Sequence, residues 1–131
     1  MCGVMKPKKM SEYDLGKEGE AQARLILKKQ GYTVQSPDWL GVKDGKWVCF
    51  EIKKKERFLK PPFDGHGLDE RQIFLRKQLF EATGIRTMLM IFEVPTGKVF
   101  YRHLDILENG KRFVTRNKVV IYPLENFLEL L

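Results

Sequence analysis

Apolar positions recur at helical spacing through residues 15 to 30, where Leu15, Gly19, Ala23, Ile26 and Leu27 share one side. Gly31 follows as a helix stop. Residues 32 to 42 read as a strand that Ser36-Pro37 bends or interrupts. Lys43-Asp44-Gly45-Lys46 carries a two-residue hairpin turn, and residues 47 to 53 form the returning strand. Residues 54 to 67, with Pro61, Pro62, Gly65 and Gly67, read as a loop. A second helix is predicted over residues 68 to 83, with Leu68, Leu75, Leu79 and Ala82 as its stripe and Gly84 as its stop. Buried and half-buried strands follow at 86 to 94, 98 to 104 and 118 to 122. A loop surrounds Asn109-Gly110, and a short helix starts at Leu124. The order α-β-β-α-β-β-β-α predicts an α/β fold, a mixed central sheet flanked by helices.

The hairpin brings chemistry together. With Asp44 and Gly45 as the turn, cross-strand partners have numbers that sum to 89, and Asp38 stands opposite Glu51. Lys53, two residues on, points to the same face, while Val48, Phe50 and Ile52 point to the other and anchor the strand in the core. A bulge near Pro37 would shift the register by one. Two opposed carboxylates repel, and a hard divalent cation is a direct remedy. Lys53 could position the attacking water, help deprotonate it, or stabilise the charged transition state. The bland alternative is an ion pair at a strand end. Against it, Glu51-Ile52-Lys53 is the only Glu-x-Lys triplet in the chain, and it lies on an apolar strand behind Pro37-Asp38.

At 131 residues the chain suits one domain, expected at 13 to 131 behind a basic arm at 1 to 12. Its 24 Lys and Arg against 17 Asp and Glu leave +7, the footprint of a phosphate binder more than of a merely soluble protein. The apolar runs are too short for a membrane span, and the N-terminus lacks the features of a signal peptide. The two cysteines, Cys2 and Cys49, fall in the arm and in a strand, so an intracellular, cytoplasmic setting is expected rather than a disulfide. Lys54, Lys55 and Arg57 leave the candidate site as a basic run and are expected to touch DNA phosphates, with Arg71 and Arg76 as weaker contacts. His66 between two glycines reads as a loop residue, and Trp39 and Trp47 as core or interface.

Pro37-Asp38, twelve residues, then Glu51-Ile52-Lys53 resembles the motif of the PD-(D/E)xK nuclease superfamily. Gly16-Lys17-Glu18-Gly19-Glu20, with Ala23, Leu25 and Gly31-Tyr32, resembles the first helix of these enzymes. Periodicity leaves Glu18 and Glu20 equivalent; the resemblance selects Glu20. It implies a restriction-endonuclease-like fold and a catalytic set of Glu20, Asp38, Glu51, Lys53 and Gln72. It also implies metal contacts at Asp38, Glu51, Ile52 and Glu20, with Mg²⁺ or Mn²⁺ as cofactor. Within the superfamily the chain looks most like archaeal and phage-type Holliday-junction resolvases over residues 16 to 93. That implies a homodimer making paired cuts across four-way DNA junctions in recombination and repair. Restriction, repair or replication nucleases of the same superfamily, or an inactive nucleic-acid-binding module, are the alternatives. Residues 98 to 131 match no resolvase feature.

Overall fold

The computed structural model describes residues 11 to 130, so residues 1 to 10 of the expected basic arm, with Cys2, lie outside the described residues, while Ser11 caps and Glu12 begins the first helix. The chain divides into two compact units, residues 1 to 34 and residues 35 to 131. The first contains helix α1, Glu12–Lys29, capped by the Ser11 hydroxyl, which accepts from the Asp14 amide at 3.2 Å. Acidic Glu12 and Asp14 stand in its first turn and Lys28 and Lys29 in its last, each matched to the helix dipole.

In the second unit, β1 (Trp39–Lys43) and β2 (Lys46–Glu56) form the expected hairpin. Asp44 and Gly45 both take positive φ, 52° and 76°, as a tight two-residue turn requires. The strand expected from residue 32 starts only at Trp39; Pro37 has no amide to donate to a ladder. β2 runs on to Glu56 and is followed by β3 (Gly65–Asp69), where a loop was expected. Helix α2 spans Glu70–Thr83, capped by Asp69, whose carboxylate accepts from the Arg71 amide, and stopped by Gly84 at φ 76°. Leu68 therefore belongs to β3, Ala82 is exposed, and the buried positions of α2 are Ile73 and Arg76. β4 (Arg86–Val94), β5 (Val99–His103), α3 (Leu104–Asn109), β6 (Phe113–Val114), β7 (Val119–Pro123), a 3-10 turn at Leu124–Asn126 and β8 (Leu128–Leu130) complete the chain.

The strands form two sheets. A five-stranded mixed sheet has the order β1-β2-β4-β5-β8, with β2 and β4 parallel and the other pairs antiparallel. A three-stranded antiparallel sheet has the order β3-β7-β6. α2 and α3 pack against β4, and α2 also meets β3. The core gathers Leu89 and Ile91 from β4, Phe100 from β5, Leu104 and Leu107 from α3, Val120 and Tyr122 from β7, with Leu68, Ile73 and Phe127. Of the aromatic residues in this half of the chain, Phe100 and Phe127 are buried, Tyr101 and Phe113 are half-buried, and Phe92 is exposed. No helix among the described residues is long and apolar enough to cross a membrane.

His66 is fully buried in β3 rather than mobile in a loop. Its Nε2 lies 2.6 Å from Glu93 Oε2, and an ionised carboxylate only accepts, so Nε2 carries the proton. Arg57 donates to both Glu93 oxygens at 2.9 and 3.0 Å, and Thr96 to one at 2.6 Å. Burial pushes the Glu93 pKa up, but the donors from Arg57, Thr96 and His66 outweigh it and hold the carboxyl down at about 2. Burial lowers the His66 pKa, and the Glu93 contact opposes this only in part.

Two predictions follow from this packing. A Cβ on Gly67 would collide with the Val120 carbonyl across the β3–β7 pair. Gly67→Ala is therefore expected to cost about 3 kcal/mol in urea unfolding, at the top of the overpacking range because the obstacle is backbone. Glu93 has a depressed pKa, so its contribution is present above its ordinary value and lost as pH falls toward about 2. Glu93→Gln should lower stability at pH 7 by about 3 kcal/mol and flatten the stability profile between pH 4.5 and 2. An unchanged acid limb in unfolding curves of the variant would show that Glu93 does not carry it.

Candidate functional site

The β1–β2 ladder pairs Trp39 with Phe50 and Lys43 with Lys46, the register expected from the turn. One step further along it, Asp38 falls opposite Glu51. Asp38 sits just before β1, where the ladder has ended and β2 still has an amide to satisfy. Its Oδ2 accepts from the Ile52 amide at 2.9 Å. A side chain thus takes over from a main-chain carbonyl, which fixes the carboxylate at the strand edge. Asp38 is exposed, while Glu51 is only 1% exposed.

Burial raises the Glu51 pKa most strongly. Arg76 opposes that shift, Asp38 adds to it through like charge, and Lys53 lowers it. The patch thus holds two carboxylates, with the charges of Arg76 and Lys53 acting on Glu51. Lys53 is half-buried and follows Glu51 on the same face of β2. The bland alternative of a Lys53 ion pair is not what forms: the Glu51 ion-pair partner is Arg76, with Nε 2.6 Å from Oε1. Arg76 thus meets Oε1, while the buried Oε2 has no hydrogen-bond partner.

Arg76 was expected at a DNA phosphate. It is 3% exposed, and its guanidinium is turned inward to Glu51 and to Gln35 Oε1, 2.8 Å from Nη1. Gln35 in turn donates from Nε2 to the Leu75 carbonyl at 2.6 Å, binding the segment before Asp38 to α2. Sequence reasoning missed Gln35 and misassigned Arg76. The available signal was Glu51 itself, since a carboxylate on a buried strand requires a buried donor. Gln72 is half-buried one helical turn before Arg76, hence on the α2 face that meets Glu51.

The other expectations divide. Lys54 and Arg71 are exposed, Arg71 with its guanidinium 5.5 Å from the Phe74 ring centroid. Lys55 is half-buried, donates to the Gly67 carbonyl at 3.2 Å, and has a pKa lowered by burial and by Lys53. Arg57 is held by Glu93 instead of standing free for phosphate. Trp39 and Trp47, expected in the core or at an interface, are 66% and 54% exposed and so are not in the core. The face with Val48, Phe50 and Ile52 is half-buried, and the fully buried residues of β2 are Cys49 and Glu51 on the other face, which α2 meets through Arg76. Glu18 and Glu20 are exposed on α1, in the first unit. Among the described residues, no three His, Cys, Asp or Glu side chains gather as a metal-binding group.

No family model matches the chain. A UPF0102 protein of Parabacteroides distasonis is 36% identical over 61 residues, which cover 39% of this chain and 50% of that protein. The chain thus spans about half the length of the curated relative it matches. Among solved structures it is similar to Hjc, a Holliday junction resolvase of Archaeoglobus fulgidus, with a TM-score of 0.49 and 13% identity, over 86% of this chain and 91% of that one.

Arg76→Met should leave Glu51 as an uncompensated buried carboxylate. Its expected cost is about 3–5 kcal/mol at pH 8, shrinking as pH falls and Glu51 takes up a proton. Urea unfolding at pH 8 and pH 5 checks this, and an equal loss at both would mean that Glu51 is not the group left bare.

Proposed function

We propose that the chain is a metal-dependent endodeoxyribonuclease of the PD-(D/E)xK kind. The observation that carries the reading is the meeting of Asp38, Glu51 and Lys53 at the end of the β1–β2 ladder, with Glu51 Oε2 buried and without a hydrogen-bond partner. Such a buried, under-satisfied acceptor calls for a ligand. The donor set fits a hard cation: two carboxylates for Mg²⁺ or Mn²⁺, the remaining positions going to water and phosphate oxygens. Asp38 and Glu51 would hold the ion, with Ile52 beside them. When bound, the cation would lower the pKa of water and neutralise the phosphodiester.

The chain's own residues do the rest. Asp38 is pre-oriented by the Ile52 amide. Arg76 keeps Glu51 nearer its charged form against the pull of burial and Asp38. Lys53 brings an ammonium to the same face, where it orients water or offsets charge on the phosphorane-like transition state. Gln72 lies on the helix face that supports this patch.

The motif likeness to junction resolvases supports the four-way DNA junction as substrate, cut in pairs by a homodimer inside the cell. The Glu51–Arg76 ion pair favours one other reading, since it already gives Glu51 a counter-charge: a nucleic-acid-binding module that has no metal chemistry.

The decisive experiment incubates the protein with labelled four-way junctions, linear duplexes, flaps and single strands in Mg²⁺ or EDTA, beside Asp38→Asn and Glu51→Gln. Paired symmetric nicks confined to the junction, lost in EDTA and at least about 100-fold reduced in both variants, are expected. Metal-dependent cutting of a different substrate would keep the nuclease and reject the junction. Binding without cutting, unchanged in both variants, would leave the binding module.

A further inference from the structure

β2 does not end at the candidate site. Four residues beyond Glu51, about 13 Å along the strand, Lys55 opens a cleft of about 580 Å³. That volume lies in the range of ordinary ligand pockets. Its walls come from the end of β2, the segment after it, and the β6–β7 hairpin. Four cations line it, Lys55, Arg57, Lys60 and Arg116, against one carboxylate, Glu56. Arg57 is committed to Glu93 and Lys55 to the Gly67 carbonyl, while Lys60 and Arg116 are exposed.

Two rings lie between these charges. Phe58 and Phe113 are both half-buried, with centroids 6.3 Å apart and planes tilted by 36°. The walls are held in place beforehand. Phe58 exchanges two main-chain hydrogen bonds with Gly65, each 3.0 Å. The tip that carries Arg116 is closed by Thr115, whose amide donates to the Val119 carbonyl and whose hydroxyl accepts from the Val119 amide.

Cations along a track with recessed aromatic faces between them are the chemistry that recognises unpaired nucleotides: phosphates meet the charges, and a base with a free face stacks on a ring. A duplex keeps its base faces stacked inside and offers this cleft only phosphates. We infer that the cleft of Phe58, Phe113, Lys60 and Arg116 binds a single-stranded segment of DNA that continues from the candidate cleavage site. This rests on the nuclease reading for the choice of DNA, but not on the four-way junction as substrate, because the cleft needs unpaired nucleotides beside the cut. It assigns a role to the β6–β7 region, which lies in the part of the chain outside the family likeness.

The test is fluorescence anisotropy in EDTA with the full chain, using a labelled oligothymidylate and a blunt duplex of equal length. Phe113→Leu keeps an apolar side chain and removes the ring; it should weaken single-strand binding at least about fivefold and change duplex binding less than about twofold. Lys60→Glu with Arg116→Glu, both at exposed positions, should weaken single-strand binding more than about tenfold and reduce the slope of log K against log salt by about 1.4. The charge pair decides the matter if Phe113→Leu fails to fold by circular dichroism. Single-strand affinity within about twofold of the parent in the folded variants, or an equal loss for duplex in Phe113→Leu, overturns the inference. A protein that cuts nothing in Mg²⁺ yet loses single-strand binding in these variants would sink the nuclease reading and leave the cleft standing. Cutting with no effect of these variants on binding would do the reverse.

Discussion

A carboxylate leaves water only when a counter-charge goes with it, and the 35 to 131 unit is organised around two that have done so. Glu51 on β2 and Glu93 on β4 are each 1% exposed. Glu51 aligns with Leu89 in the parallel register, and Glu93 lies four residues beyond Leu89, so both carboxylates project from the same face of the five-stranded sheet. Glu51 draws in Arg76 from α2; Glu93 draws in His66 from β3 and Arg57 from the end of β2. One buried charge therefore holds the helix to the sheet, and the other holds the small sheet to it. Without them the apolar contacts of Leu89, Ile91, Phe100 and Tyr122 would still favour collapse, but would say less about which side chains meet.

The two sites are satisfied to different degrees, and the difference separates structure from candidate chemistry. Around Glu93 the donors are short and aligned, and the carboxyl is held well below its ordinary pKa. Around Glu51 burial raises the pKa, the close contact with Arg76 only partly opposes it, and a second carboxylate adds repulsion. A fully bonded buried acid is inert. A crowded, incompletely bonded one is the place to look for chemistry, because perturbation of this kind clusters at functional sites.

Much of this was legible in the chain. The Asp44-Gly45 turn dictates its own backbone and so fixes the pairing of Trp39 with Phe50, which in turn brings Asp38 to Glu51. Asp69 and Gly84 bracket α2, and the apolar run 86 to 94 needs no partner to be read as a strand. What stayed hidden depends on contacts between distant segments. β3 has no alternating pattern, because Gly65 and Gly67 are there for the close approach of the Tyr122 and Val120 carbonyls. β6 and β8 have two and three residues, too few for any periodicity. Arg76 looked like a surface cation on a helix, because nothing local marks which arginine a buried glutamate will claim.

The Ile52 amide gives Asp38 a structural duty beside the catalytic one proposed for it, and this affects how the position can change over generations. Losing the chemistry would release Glu51 and Arg76 to drift together toward an apolar pair, since each is costly without the other. Position 38 would not be freed in the same way, because the strand still needs an acceptor where β1 stops short. A descendant that had abandoned catalysis would thus be expected to keep Asp or Asn there. Retention of that residue among relatives records the architecture of the hairpin, and only the joint retention of 38, 51 and 53 would record an enzyme.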